Sequence, residues 1–256
     1  FKTRLTYGLG WSDIFASKIS ENNSTSTVKG DINFYGIYNS FNVADFMKNL
    51  DVYGLARTDS STGPTSVTSA LGLRAASKIE AFDYRAEYTK EFGNAFTETS
   101  NAQLDAEVGY TFDHSLKPRF GFEYFTAGKT YDQLYPTFHK WLGYADVLGR
   151  RNLNGFVIHT EAQLLENVKA KLDYHNFTRA DSAAPVYKAS GSAFGTATGS
   201  ASNSVGSEFD LTMIYQASKD LKFTGGASLF NSGEYFKDQF GDIKPTFYYA
   251  QMEVSF

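Results

Sequence analysis

Apolar and polar residues alternate with period two along most of this chain, the signature of half-buried β-strands. In 246–256, Tyr248, Ala250, Met252, Val254 and Phe256 share one face, and Tyr249, Gln251, Glu253 and Ser255 the other. The pattern recurs upstream. Phe209, Leu211, Met213 and Tyr215 alternate with Glu208, Asp210, Thr212 and Gln216. Leu221, Phe223, Ala227 and Leu229 alternate with Lys222, Thr224 and Ser228. Similar runs centre on Val168–Tyr174, Phe156–Leu164, Phe120–Tyr124, Ala102–Phe112 and Phe82–Tyr88, and weaker strands fall near 67–78, 50–59 and 31–39.

The connections give these strands an architecture. Very short ones at 218–220, 165–167, 114–117 and 78–80 alternate with long ones at 231–245, 178–207, 126–152 and 90–101. Membrane barrels have short periplasmic turns at one end and long extracellular loops at the other. A Greek-key sandwich does not keep such an alternation through successive hairpins. The fold expected is all-β, one antiparallel transmembrane barrel of 12–13 strands over 1–256. The start of the chain leaves two counts open. Either 1–20 is one bent strand, giving twelve, or a turn at 8–10 divides it, giving thirteen. An odd count points to a larger barrel with strands upstream. Phe256, an aromatic closing an alternating strand, is expected at the periplasmic rim, read by the barrel-insertion machinery. Within 178–207, the Gly/Ala/Ser/Thr-rich stretch 191–206 reads as a flexible surface loop.

Composition fits this reading. The chain has 256 residues, no Cys, 5 Pro, 17 Tyr and 23 Phe. Without Cys there is neither a disulfide nor a thiolate metal site. A net charge of −4 gives no reason to expect a nucleic-acid partner. No apolar run approaches the ~20 residues of a membrane-spanning helix. The mean hydropathy of −0.35 is still compatible with a barrel, whose strands expose only alternate residues to lipid.

The stretch 131–152 reads YDQLYPTFHKWLGYADVLGRRN. It resembles the signature of the alginate export porin family, carried by Tyr131, Asp132, Gln133, Leu134, Tyr135, Pro136, His139, Gly143, Tyr144, Asp146, Gly149 and Asn152. The flanking AFDYRAEYTKEFG, KLDYHNFTRADS and GSEFDLTMIYQASKDLKFTGGASLF are also similar to the family. The resemblance implies a monomeric outer-membrane channel with more strands than this chain supplies. Its best-known cargo is an anionic polysaccharide, passed through an Arg-lined constriction.

The polar strand faces do not supply such a lining. Their basic residues are Lys2, Arg4, Arg57, Arg74, Lys78, Arg85, Arg119, Lys169, Lys171 and Lys222. Their acidic residues are Asp31, Asp51, Asp83, Glu87, Asp105, Glu107, Glu123, Glu161, Asp173, Glu208, Asp210 and Glu253. Near balance favours a solvated cross-strand ladder over a one-sign filter. The signature loop is the other candidate constriction. It either folds inward with His139, Lys140, Arg150 and Arg151, or is stiffened by an aromatic plug of Tyr131, Tyr135, Trp141 and Tyr144.

The function expected is passive diffusion of small hydrophilic solutes or an anionic polysaccharide, in outer-membrane lipid, without a cofactor or metal. A passive structural or adhesive barrel is the alternative. A barrel enzyme is the rival from another class. Its only candidate pairs are His159 with Glu161 and His175 with Asp173, and no Ser stands in a nucleophile context.

Overall fold

The computed structural model describes residues 1–21, 30–61, 63–96, 99–137 and 141–256. Thirteen antiparallel strands form one sheet in sequence order. They are β1 (Lys2–Tyr7), β2 (Gly10–Ser20), β3 (Ile32–Phe41), β4 (Asn49–Asp59), β5 (Ser66–Ile79), β6 (Phe82–Phe92), β7 (Ala102–Thr111), β8 (Arg119–Ala127), β9 (Leu153–Leu165), β10 (Val168–Arg179), β13 (Ser204–Ser218), β14 (Leu221–Ser232) and β15 (Thr246–Val254). The first twenty residues are two strands, so the count is thirteen. A separate hairpin, β11 (Val186–Tyr187) and β12 (Ala193–Phe194), lies in the loop after β10, and a short helix, α1 (Glu234–Phe240), lies after β14.

Each strand pairs with its neighbours in sequence, with single irregularities at Lys18/Ser20, Val168/Lys169, Phe177/Thr178 and Gln216/Ser218. Among the described residues β1 pairs only with β2 and β15 only with β14, so the sheet is open there. With an odd number of antiparallel strands, β1 and β15 run in the same direction. Short and long connections alternate from β5 to β15, whereas 42–48 and 60–65, on either side of β4, are of similar length. The turns at 8–9, 80–81, 166–167 and 219–220 are the tightest, and the segments at 128–152 and 180–203 the longest.

The two faces of the sheet differ. Leu71, Leu73, Phe82, Val108, Phe122, Leu172, Leu211 and Met252 are exposed on the apolar face, as lipid contact requires. Asp51, Thr89, Asp105, Glu123, His175 and Asp210, on the other face, are buried. Toward the loop-bearing ends of β8–β14 this inner face turns apolar. Phe125, Val157, Phe177 and Phe230 occupy positions in phase with Glu123, His159, His175 and Ser228, and all four are fully buried. With Leu142, Leu148, Leu153, Val186, Val205, Tyr235 and Phe236 they form the one hydrophobic core of the described residues. Full burial of such side chains contributes about 1.5–3 kcal/mol each.

That core corrects the flexible-loop expectation for 191–206. Arg179, 2% exposed, donates to the carbonyls of Ser182, Ala184, Ala197, Ser200 and Ser202 and lies over the Tyr235 ring. Composition describes a stretch that cannot order itself, but here one buried guanidinium collects its carbonyls.

Candidate functional site

On the inner face, side chains of adjacent strands in register meet as ion pairs. Arg74 on β5 reaches Asp51 on β4 at 2.9 Å. Arg85 on β6 donates to Asp105 (2.6 Å) and Glu107 (3.2 Å) on β7, and to Glu123 (2.9 Å) on β8. Arg119 on β8 binds Asp83 and reaches Glu107 at 2.7 Å. Glu161 on β9 pairs with Lys169 and Lys171 on β10. Lys222 and Glu253 pair at 2.6 Å, and Lys2 and Arg4 share Asp13. Among the described residues no ring of one sign forms.

The histidines are bound otherwise than their sequence neighbours suggest. His159 faces Asp173 (2.8 Å) on β10 and Glu123 (3.3 Å) on β8, not Glu161. His175 faces Asp210 (3.1 Å) on β13, not Asp173. Residues two apart on a strand stand about 7 Å apart along it, whereas cross-strand partners stand about 5 Å apart. The same register brings the ligand atoms of Glu107, Glu123 and His159 within 4.8 Å of one another. A cation could be held there, but Arg85 already bonds both carboxylates and supplies the positive charge.

The described residues of the segment 128–152 lie over this face and touch most of the sheet. Tyr135 packs edge-on against Phe34 of β3 (centroids 4.8 Å), and Asp132 pairs with Arg57 of β4 at 2.6 Å. The Asp132 amide donates to Glu91 of β6 (2.8 Å), and Trp141 lies 4.4 Å from the Arg85 guanidinium. Arg150 donates to Asp105 of β7 at 2.5 Å and to Gln103 at 3.3 Å. The amides of Tyr144 and Ala145 donate to Asp210 and Glu208 of β13, and Tyr144 stacks on Tyr249 of β15 (4.4 Å, 2°).

The signature residues acquire reasons from this arrangement. Gly143 has φ +88°, and a Cβ there would lie 2.4 Å from the Glu208 carboxylate. A Cβ on Gly149 would lie 2.4 Å from the Lys188 carbonyl, while its amide donates to Tyr187. Asn152 is fully buried with φ +53°, accepts from the Asp181 amide, and donates toward the carbonyls of Asp181, Ala184 and Pro185. Leu134 and Asp146 also take positive φ, and the Asp132 carboxylate caps the Leu134 amide. Gln133 and Pro136 line a cavity at the loop. Burial raises the Tyr131 and Tyr135 phenols, which stay neutral.

Two expectations for this loop are amended. Arg151 does not reach the sheet; it donates to the Lys129 carbonyl and lies over the Tyr187 ring. Among the described residues the four aromatics form no mutual stack, and Tyr135, Trp141 and Tyr144 each pack on a different strand. His139 and Lys140 lie outside the described residues. Phe256 lies two residues beyond β15 and is fully exposed. Sequence reasoning passed over Glu91, which was legible as a continuation of the polar phase of Glu87.

Among curated proteins none matches this sequence. Similar solved structures include one reported with work on the in-meso crystallization of membrane proteins (14% identity, TM-score 0.41, covering 96% of this chain and 83% of that one). Others are the Salmonella typhi outer membrane phospholipase dimer with bound calcium (10%, 0.34, 99% and 92%) and Escherichia coli outer membrane phospholipase A (10%, 0.33, 99% and 98%). The sequence model of the alginate export family matches residues 18–248, nearly the whole sheet. This chain therefore belongs to the alginate export family and is a β-barrel protein of the bacterial outer membrane.

Proposed function

We propose that the barrel passes small hydrophilic solutes by passive diffusion, and that the segment 128–152, not a charged ring, sets its aperture. Family membership makes the chain an outer-membrane transport protein. The observation that carries the finer reading is the reach of one loop, from Phe34 on β3 to Tyr249 on β15. Two of its described charges arrive already compensated, Asp132 by Arg57 and Arg150 by Asp105. A loop of this kind narrows the opening without selecting strongly for sign. A small solute suits such an aperture better than a polyanion.

Planar-bilayer recordings test this. The expected result is a steady conductance, weak selectivity in a salt gradient, and no block by polyanions. Strong anion selectivity with polyanion block would replace small solutes by an anionic polysaccharide. A passive structural barrel draws support from the apolar core that fills the inner face beneath α1 and β11–β12. Absence of any conductance would favour it. The enzyme reading is the weakest, because among the described residues neither His159 nor His175 has a serine or threonine hydroxyl as a hydrogen-bond partner to serve as nucleophile.

A further inference from the structure

Between the inner face and the loop 128–152 lies a cavity of about 340 Å³. Pockets of roughly 300–1,000 Å³ are the size that holds small organic ligands. Its aromatic walls include Tyr53, Tyr131 and Trp141. The Tyr53 ring lies over Gly72 on the next strand, its hydroxyl donating to Glu87 at 2.6 Å.

Two buried polar side chains lining the cavity are incompletely used. Glu91, 1% exposed, accepts the Asp132 amide with one carboxylate oxygen, and its Oε1 has no hydrogen-bond partner. Arg150, 6% exposed, donates through Nη1; its Nη2 lies 3.9 Å from the Glu123 carboxylate, and neither Nη2 nor Nε has a hydrogen-bond partner. A buried polar atom left unpaired costs about 1–3 kcal/mol. The occupant that answers both must donate to a carboxylate and accept from a guanidinium. A hydroxyl does both, and an aromatic wall suits the C–H face of a saturated ring. A carboxylate can answer Arg150 but not Glu91, and an ammonium the reverse.

Charge narrows the choice further. Arg150 is compensated by Asp105, and Arg85 by Asp105, Glu107 and Glu123. Among the described residues Glu87 and Glu91 have hydrogen bonds but no ion pair. The two cations that line the cavity, Arg85 and Arg150, are therefore already paired, and neither is free to favour an anion. We propose that this cavity binds one ring of an uncharged polyhydroxylated solute, a neutral pyranose, during passage. The proposal rests on the channel reading and names a solute class for it.

The chain has 2 Trp, Trp11 and Trp141. Trp11→Phe leaves Trp141 as the single reporter, at the wall of the cavity. The Trp11→Phe protein, folded in detergent, is titrated with methyl α-glucopyranoside and separately with glucuronate. The glucoside should give a saturable fluorescence change, and glucuronate a dissociation constant at least tenfold weaker. Glu91→Gln, which replaces a carboxylate oxygen by a donor in the wall of the cavity, should weaken the glucoside at least tenfold. A shift in gel mobility on boiling equal to that of the Trp11→Phe protein shows that this variant still folds. Equal or tighter glucuronate binding, no saturable change, or an unaffected Glu91→Gln would each overturn the proposal. Bilayer conductance of the same preparation separates the two readings. Conductance without a sugar response sinks the site alone, whereas sugar binding without conductance sinks the channel.

Discussion

Arg150 in the loop 128–152 and Asp105 on β7 form a buried ion pair at 2.5 Å, with side chains 6% and 2% exposed. The pair fixes the loop to the wall of the barrel. Asp105 also accepts from Arg85, so one carboxylate joins the loop to the charge network of β6–β8. Arg150→Met removes one cation and leaves the other. The expected loss is about 2 kcal/mol, less than the ~3–5 of a wholly uncompensated buried charge. Urea-induced unfolding in detergent measures it. The open-channel current should also become noisier. A quiet channel of unchanged stability would show that the pair does not hold the loop.

Gly143 at φ +88° presses against Glu208. Gly143→Ala adds both backbone strain, ~1–3 kcal/mol, and a collision with the carboxylate. The loop should lift there, raising conductance and exposing the segment to limited proteolysis. Trimming the obstacle in Gly143→Ala/Glu208→Ala should restore part of the protection. Equal cleavage of wild type and Gly143→Ala would mean the contact is incidental.

Charge neutralisation separates wall from loop as the source of any selectivity. Lys169→Gln with Lys171→Gln leaves Glu161 without its two cations. The reversal potential in a salt gradient should then move toward cation preference. Arg150→Gln with Arg151→Gln should move it less, because Arg151 lies over Tyr187 and away from the sheet. Fixed charges act over about 10 Å at 0.1 M salt, so the recordings belong at low ionic strength. A larger shift from the loop pair would reverse the assignment.

Asp181 opens the segment 180–203. The Ala183 amide, and then Lys129, hold its carboxyl below the ordinary aspartate range. A carboxylate lowered on folding stabilises the fold at pH above its unfolded value, ~3.9, and that contribution is lost as pH falls through the folded value. Acid should therefore loosen the loop first around Asp181. Asp181→Asn should show the same protease sensitivity at neutral pH and little further change in acid. Because the group is exposed, the effect is local. A pH-independent wild type would remove Asp181 from the account.

Sequence alone determined most of the strands and their sidedness, and left open whether 1–20 is one strand or two. Period-two alternation is a local property, since each residue's face follows from its neighbour's. Alternating connection lengths then distinguished a membrane barrel from a sandwich. The motif from Tyr131 to Asn152 was visible as text, and the family followed from it. Its reasons were not visible. Gly143 answers to Glu208, Gly149 to Lys188 and Asn152 to Asp181, all distant in sequence.

Only the tertiary structure decided which charges meet. Cross-strand register brings together residues at separations that no spacing rule anticipates, as when Glu123 meets Arg85 and His159. Hence the histidines found partners other than their strand neighbours. The same holds for 191–206, whose composition read as flexible because Gly, Ala, Ser and Thr bury little surface of their own. Arg179, Tyr235 and the inner-face phenylalanines order it from outside the stretch. Packing energy of that kind resides in contacts between segments, and a linear pattern does not record them.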